Sequence, residues 1–124
     1  MKNFRDLKVW VMAHQLTLDL YRATRNFPRE ELYGLSSQIR RCSASIGANI
    51  AEGCGKRGNN ELHRYLEIAS GSASELEYHL LLAADLSYLH TEDYQRLNRQ
   101  LISARKMLTS LLRKIEMDRS AAKC

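Results

Sequence analysis

Apolar residues recur at alternating spacings of three and four along four separate segments of the 124-residue chain. This repeat follows the 3.6 residues of an α-helical turn, so each segment is expected to form a helix with one apolar face. We predict an all-α fold with helices at about 4–27, 32–53, 60–89 and 92–117. The remaining residues, 118–124, are expected to form a flexible tail.

Short connections between the predicted helices favour antiparallel neighbours, which gives an up-down-up-down four-helix bundle over residues 1–117. The only proline, Pro28, prevents simple continuation of the first helix. Apolar residues beside the core stripes, such as Val11, Leu18 and Tyr78, exceed what one bundle buries. Exposed apolar surface of this kind usually marks an association site, so we expect the bundle to self-associate.

Two blocks of small residues lie within the second and third helices, in CSASIGANIAEGCG and IASGSASELE. Small side chains let helix axes approach closely, so we expect the blocks to face each other or a neighbouring subunit. Gly47 permits a bend, and Asn49 is interpreted as a buried hydrogen-bonding residue. Glu52 is interpreted as a cap or an inter-subunit ion pair, and Gly53 as part of a helix C-cap. The residues assigned to this helix crossing are Gly47, Asn49, Glu52, Gly53, Ser70, Gly71 and Ser74.

The net charge of +5 is unevenly spread, with +5 in residues 1–57, −5 in residues 58–98 and +5 in residues 99–124. Clustered Lys and Arg can contact phosphate groups, so RNA or DNA is the candidate ligand. The alternative is that these cations lie on solvated faces and pair with the acidic third helix of a neighbouring subunit. The predicted nucleic-acid-binding residues are Arg40, Arg41, Lys56, Arg57, Arg99, Arg105, Lys106 and Arg113.

The motifs of known catalytic and metal sites are missing from the sequence. A di-iron bundle needs Glu-x-x-His on two helices, and a phosphate-binding P-loop needs GxxxxGK[ST] after a strand. The odd count of three cysteines supports neither disulfides nor zinc. We therefore predict no catalytic residue, no cofactor and no metal. A Ser-His-Asp or Cys-His set assembled in space is left open by sequence alone.

Three stretches, FRDLKVW, QIRRCSASIGANIAEGCGKR and YLEIASGSASELEYHL, resemble a known four-helix-bundle family. That family is named after proteins encoded in intervening sequences of bacterial 23S ribosomal RNA genes. It has a related branch, the accessory proteins of diversity-generating retroelements. The resemblance spans about residues 3–115 and implies a ring of five bundles. The similarity to the retroelement branch implies nucleic acid and a reverse transcriptase as partners. Many members of the family carry Pro where this chain has Gly47.

These features together predict a non-enzymatic, homo-oligomeric scaffold, a pentamer by resemblance, whose basic surface binds RNA or DNA. The alternative is a purely structural or protein-interaction module that binds no nucleic acid. No apolar run reaches the roughly 20 residues of a membrane span, and the N-terminus has no signal-peptide core. We therefore expect a cytoplasmic protein that does not contact a membrane.

Overall fold

A computed structural model describes the backbone of residues 3–123 and the side chains of residues 3–120. Within this range the chain forms four α-helices, two short 3-10 turns and no β-strand, which confirms the all-α prediction. The 3-10 turns are Phe4–Asp6 and Arg29–Glu31. The helices are α1 Lys8–Thr24, α2 Leu35–Cys54, α3 Asn59–Asp85 and α4 Thr91–Lys123.

The four helices pack as a closed cycle, in which α1 and α3 each contact both α2 and α4. The backbones of helices at opposite corners do not approach each other closely within the described part of the chain, as expected for a four-helix bundle. The predicted apolar stripes lie inside it, because positions three and four apart share one helix face. The large side chains that are fully buried include Leu16, Leu20, Ile39, Ile46, Ile50, Leu66, Leu76, Leu80, Leu97, Leu101 and Leu108.

The helix ends differ from the predicted ones because local contacts fix them. The second helix begins at Leu35 rather than at 32, where the Glu31 carboxylate accepts the Leu35 backbone N–H at 3.0 Å. The third helix begins directly after Gly58, whose φ of +84° favours glycine. The fourth helix continues through the predicted tail at 118–124 as far as Lys123, since no Gly or Pro interrupts it. Cys124 lies outside the described residues.

The small-residue blocks meet where α2 crosses α3, with the Ser45 and Ser72 hydroxyl oxygens 2.9 Å apart. Near the end of α2, Gly53 is buried against α3. A Cβ atom at Gly53 would lie 2.9 Å from the Tyr65 Cβ and 3.1 Å from the Leu62 Cδ1. Gly53 is therefore a packing residue inside α2, while Gly55 is the C-cap.

Other residues assigned to the crossing lie elsewhere. Gly47 faces α1, since an added Cβ would lie 3.4 Å from the Trp10 indole nitrogen. Gly71 is exposed, with nothing within 4 Å of an added Cβ. Asn49 is half-buried, and its side chain donates to the Ser45 carbonyl at 2.8 Å within α2. Glu52 is exposed and makes no ion pair with any residue in 3–120.

The remaining two residues of that set, Ser70 and Ser74, are hydrogen-bonded to each other, and Ser74 is also hydrogen-bonded to α4. The Ser74 hydroxyl donates to the Ser70 carbonyl at 3.2 Å and accepts from the Arg105 guanidinium at 2.9 Å. Only part of the third-helix block therefore faces α2. A helix has several sides, and sequence spacing alone does not say which neighbour each side contacts.

Candidate nucleic-acid interface

The eight predicted basic residues are distributed over three elements. Arg40 and Arg41 lie on α2, Lys56 and Arg57 lie in the loop between α2 and α3, and the other four lie on α4. The α4 set is the largest group on one element.

Arg99, Lys106 and Arg113 lie seven residues apart along α4, and all three are exposed. Seven residues are two helical turns, so these side chains share one face over about 20 Å. None of them forms an ion pair or a side-chain hydrogen bond with residues 3–120. We call this set the α4 ridge.

The α4 ridge borders a groove of about 540 Å³ between α3 and α4. Ser110 lines the groove with Lys106 and Arg113, so a hydroxyl donor lies beside the cations, while the Thr109 hydroxyl of the same groove donates to the Arg105 carbonyl at 3.0 Å. Phosphate oxygens accept hydrogen bonds from both types of group. The arrangement is chemically suited to the sugar–phosphate backbone of a nucleic acid.

Arg105 is paired with α3 residues at the partly exposed surface between α3 and α4. One guanidinium nitrogen pairs with the Glu77 carboxylate on α3, and another donates to the Ser74 hydroxyl at 2.9 Å. This side chain therefore ties α4 to α3, and its charge is already matched. Its assignment as a free phosphate contact does not fit this geometry.

The two arginines of α2 have different environments. Arg40 Nε donates to the Thr24 hydroxyl at 2.8 Å, and its guanidinium carbon lies 5.1 Å from the centroid of the Tyr21 ring. Arg41 is exposed and lines a polar groove of about 420 Å³ between α2 and α3, together with Glu75. Because Arg40 and Arg41 are neighbours on a helix, they point about 100° apart.

In the loop after α2, Lys56 Nζ lies 5.7 Å from the ring centroid of Tyr65. The Arg64 guanidinium lies 4.5 Å from the same ring and donates to Glu61 at 3.1 Å. The hydrogen bond from Arg64 holds the pKa of the Glu61 carboxyl below its usual value. Arg57 is exposed in the same loop. Lys56 of the loop and Arg64 of α3 thus lie against one aromatic ring, and Arg64 is also paired with a carboxylate.

Two buried histidines form the other polar clusters. The Cys42 sulfur lies 3.7 Å from Nδ1 of His79, but burial, with a smaller effect of Glu75, raises the pKa of the Cys42 thiol to about 12. A nucleophilic cysteine needs the thiolate, which this environment disfavours. The two nitrogens of His63 contact different carboxylates, Glu67 at 3.2 Å and Glu116 at 3.1 Å. Across the described residues, no three His, Cys, Asp or Glu side chains converge as metal ligands would.

A basic and aromatic surface between α1 and α2 was not predicted from the sequence. The Trp10 and His14 rings stack with centroids 4.8 Å apart and an interplanar angle of 9°. Further along α1, Tyr21 is 41% exposed and carries the Arg40 guanidinium over its ring. Spacings of four and seven along α1 could have indicated that the aromatic residues share a side. The contact of Tyr21 with Arg40 could not be predicted in this way, because it depends on how α2 packs against α1.

Comparison with known proteins identifies the family. The family model of the 23S rRNA-intervening sequence protein matches residues 5–110. The chain belongs to this family. The match confirms the resemblance seen in the sequence. The ring and the nucleic-acid ligand that the resemblance implies stay predictions.

A solved structure with the same fold comes from Bacteroides thetaiotaomicron and is described as a protein of unknown function from the S23 ribosomal protein family. It is 28% identical to this chain, with a TM-score of 0.76. The similarity covers 84% of this chain and 97% of that one. No curated protein is significantly similar to the chain. None of the helices in the described range is both long and apolar enough to span a bilayer.

Proposed function

We propose that this protein is a non-enzymatic, homo-oligomeric scaffold whose α4 ridge binds the phosphate backbone of RNA or DNA. The observation that carries the proposal is the alignment of Arg99, Lys106 and Arg113 on one exposed face without internal partners. A charged side chain that is not paired within the protein is free to neutralise a phosphate and release its counterion. The neighbouring hydroxyl of Ser110 supplies a neutral donor.

Within the scaffold, the helices are proposed to run antiparallel in an up-down-up-down order. The order of contacts between α1 and α2 supports this. Arg40 bonds to Thr24, the Thr17 hydroxyl donates to the Ser43 carbonyl, and Gly47 lies against Trp10. As the residue number rises on α2, it therefore falls on α1. Short connections between the helices favour the same arrangement for the other pairs.

Two separate exposed apolar surfaces support self-association. One is an apolar groove of about 490 Å³ between α1 and α4, lined by Val11, Met12 and Met107, and we call it the α1/α4 groove. The other, which we call the α3 patch, includes Ile68 and Tyr78, which are 42% and 59% exposed. Two different surfaces on one chain are what a head-to-tail ring requires. The number of five subunits rests on family resemblance, as does a reverse transcriptase partner.

Binding of a fluorescent duplex DNA and a structured RNA, measured over a range of salt concentrations, tests the α4 ridge. Each phosphate contact steepens the dependence of log affinity on log salt by about one. The double variant Lys106→Ala, Arg113→Ala is expected to flatten that slope by about two and to weaken binding at low salt. The matched control is Arg64→Ala, Arg96→Ala, which removes the same charge from residues already paired with Glu61 and Asp93.

The proposal fails if the wild-type protein binds neither probe at low salt, or if the two double variants behave alike. The second candidate function is a protein-interaction module without nucleic-acid binding. The exposed α1/α4 groove and α3 patch favour it, because such surfaces mark protein contacts. Consistent capture of one protein partner, together with no nucleic-acid binding, would support that module instead.

A further inference from the structure

The surface between α1 and α2 combines stacked rings with cations. His14 is exposed and lies parallel to the half-buried Trp10 ring, 4.8 Å from it. Two helical turns further along α1, Tyr21 is partly exposed, with the Arg40 guanidinium 5.1 Å from its ring centroid. The two ring groups are therefore about 10 Å apart along the helix axis. We call them, with Arg40, the α1/α2 face.

Contacts within the bundle hold the α1/α2 face in place. Gly47 has no side chain, and the Trp10 indole occupies the adjacent space, 3.4 Å from where a Cβ would be. The Arg40 guanidinium is fixed by the Thr24 hydroxyl at 2.8 Å and the Tyr21 carbonyl at 3.4 Å. Rings and a guanidinium that are already ordered lose little conformational entropy when a ligand stacks on them.

The charge of this face is positive. From Leu35 to Ala51, α2 contains Arg40 and Arg41 and no carboxylate. On α1 the only acid is Asp19, which accepts hydrogen bonds from Gln15 and from Gln100 of α4. Asp19 is therefore turned towards α4. An anionic ligand would meet little repulsion along the α1/α2 face.

We infer that the α1/α2 face binds single-stranded nucleic acid, with unpaired bases stacking on the His14–Trp10 pair and on the Arg40–Tyr21 pair. Aromatic rings beside cations are the usual platform for single strands, because every base has a π face. A duplex keeps its bases stacked on one another and offers only phosphates to such a surface. This inference rests on the proposed function and names the class of nucleic acid that this protein prefers.

The chain contains one tryptophan, so its fluorescence reports on this face alone. The probes are a mixed-sequence 12-nucleotide single-stranded RNA, the DNA strand of the same sequence, and the corresponding DNA duplex. Single strands are expected to quench Trp10 emission to saturation, while the duplex binds without quenching. The anisotropy of the labelled probes gives the affinities in the same titration.

His14→Ala tests the stacking contact, because His14 is exposed and its removal leaves the core intact. The variant is expected to bind single strands roughly tenfold more weakly than the wild type and the duplex with unchanged affinity. His90→Ala removes an exposed histidine from another part of the surface and should behave as the wild type. Circular dichroism verifies the helix content of each variant.

Several outcomes would overturn the inference. Single strands that bind with no change in Trp10 emission would do so, as would a His14→Ala variant that matches the wild type or that weakens duplex and single-strand binding equally. Trp10 emission that changes with protein concentration and not with single strands would place another copy on this face instead. The double variant Lys106→Ala, Arg113→Ala separates the two proposals. If single strands still quench Trp10 emission in this variant and its salt slope equals that of the wild type, the α4 ridge is contradicted and the α1/α2 face is not. If single strands do not quench Trp10 emission while the double variant still flattens the salt slope, the α1/α2 face is contradicted and the α4 ridge is not.

Discussion

At the scale of single residues, Glu31 shows how one carboxylate fixes a helix start. Its oxygens accept the Leu35 backbone N–H at 3.0 Å and the Tyr88 hydroxyl at 2.8 Å. The hydrogen bond from Leu35, followed by that from Tyr88, lowers the pKa of the Glu31 carboxyl below 4.5. Gly34 leaves room for this contact, since a Cβ there would lie 2.6 Å from a Glu31 oxygen. One side chain therefore links the start of α2 to the segment before α4.

The lowered pKa of Glu31 makes a prediction about stability and pH. A group whose pKa is lower in the folded state contributes stability above its unfolded pKa and loses it as the pH falls through the folded value. The difference in free energy of unfolding between the wild type and Glu31→Gln should thus keep its full value above about pH 4.5 and decrease as the pH falls further. Urea unfolding at several pH values measures this difference. Glu30→Gln is the control, because no side-chain hydrogen bond of Glu30 lies in the described range. A difference that does not vary between pH 3 and 7 would contradict the assignment.

At the scale of helices, two glycines with similar sequence surroundings have opposite roles. Gly53 is buried in α2 against Tyr65 and Leu62 of α3, whereas Gly71 is exposed on α3 with open space around it. Both lie inside helices, where glycine is normally less favourable than alanine. The close approach of α2 and α3 thus depends on Gly53 and not on Gly71.

Alanine substitutions at the two positions should change stability in opposite directions. Gly53→Ala is expected to destabilise the protein by about 1–3 kcal/mol, because its Cβ would collide with the α3 side chains. Gly71→Ala is expected to stabilise it by about 0.5–1 kcal/mol, because alanine loses less backbone entropy in a helix. Chemical unfolding of both variants and the wild type gives the two values. Equal effects of the same sign would mean that helix packing does not distinguish the two sites.

The sequence was sufficient to predict the helices and their buried faces, because apolar spacing is a local property of each segment. Helix ends were harder, since Glu31 and Gly58 act through backbone geometry that apolar spacing does not record. The candidate site was predictable in part. Lys106 and Arg113 could be proposed from charge alone. The engagement of Arg105 depends on Glu77, which is 28 residues away in the chain and becomes a neighbour only in the folded bundle.

At the scale of the whole molecule, one ring assembly can use both apolar surfaces for subunit contacts and keep both proposed nucleic-acid surfaces exposed. The contacts place α1/α4 and α2/α3 on opposite sides of the cycle of helices. If the α1/α4 groove of one copy receives the α3 patch of the next, the α4 ridge and the α1/α2 face are left accessible to ligands. Both proposed nucleic-acid surfaces are therefore compatible with a ring built in this way.

A mixing experiment tests whether the interface is head-to-tail. Val11→Lys places a charge in the α1/α4 groove, and Ile68→Lys places one in the α3 patch; both positions are exposed in the single chain, so folding should be preserved. The wild type is expected to have several times the 14.3 kDa chain mass in native mass spectrometry, and each variant alone the mass of one chain. A one-to-one mixture should give heterodimers that stop at two chains, because the intact groove of one variant still accepts the intact patch of the other. A symmetric interface that pairs each surface with itself would give no such heterodimer. A wild-type protein that stays monomeric at micromolar concentration would refute the association altogether.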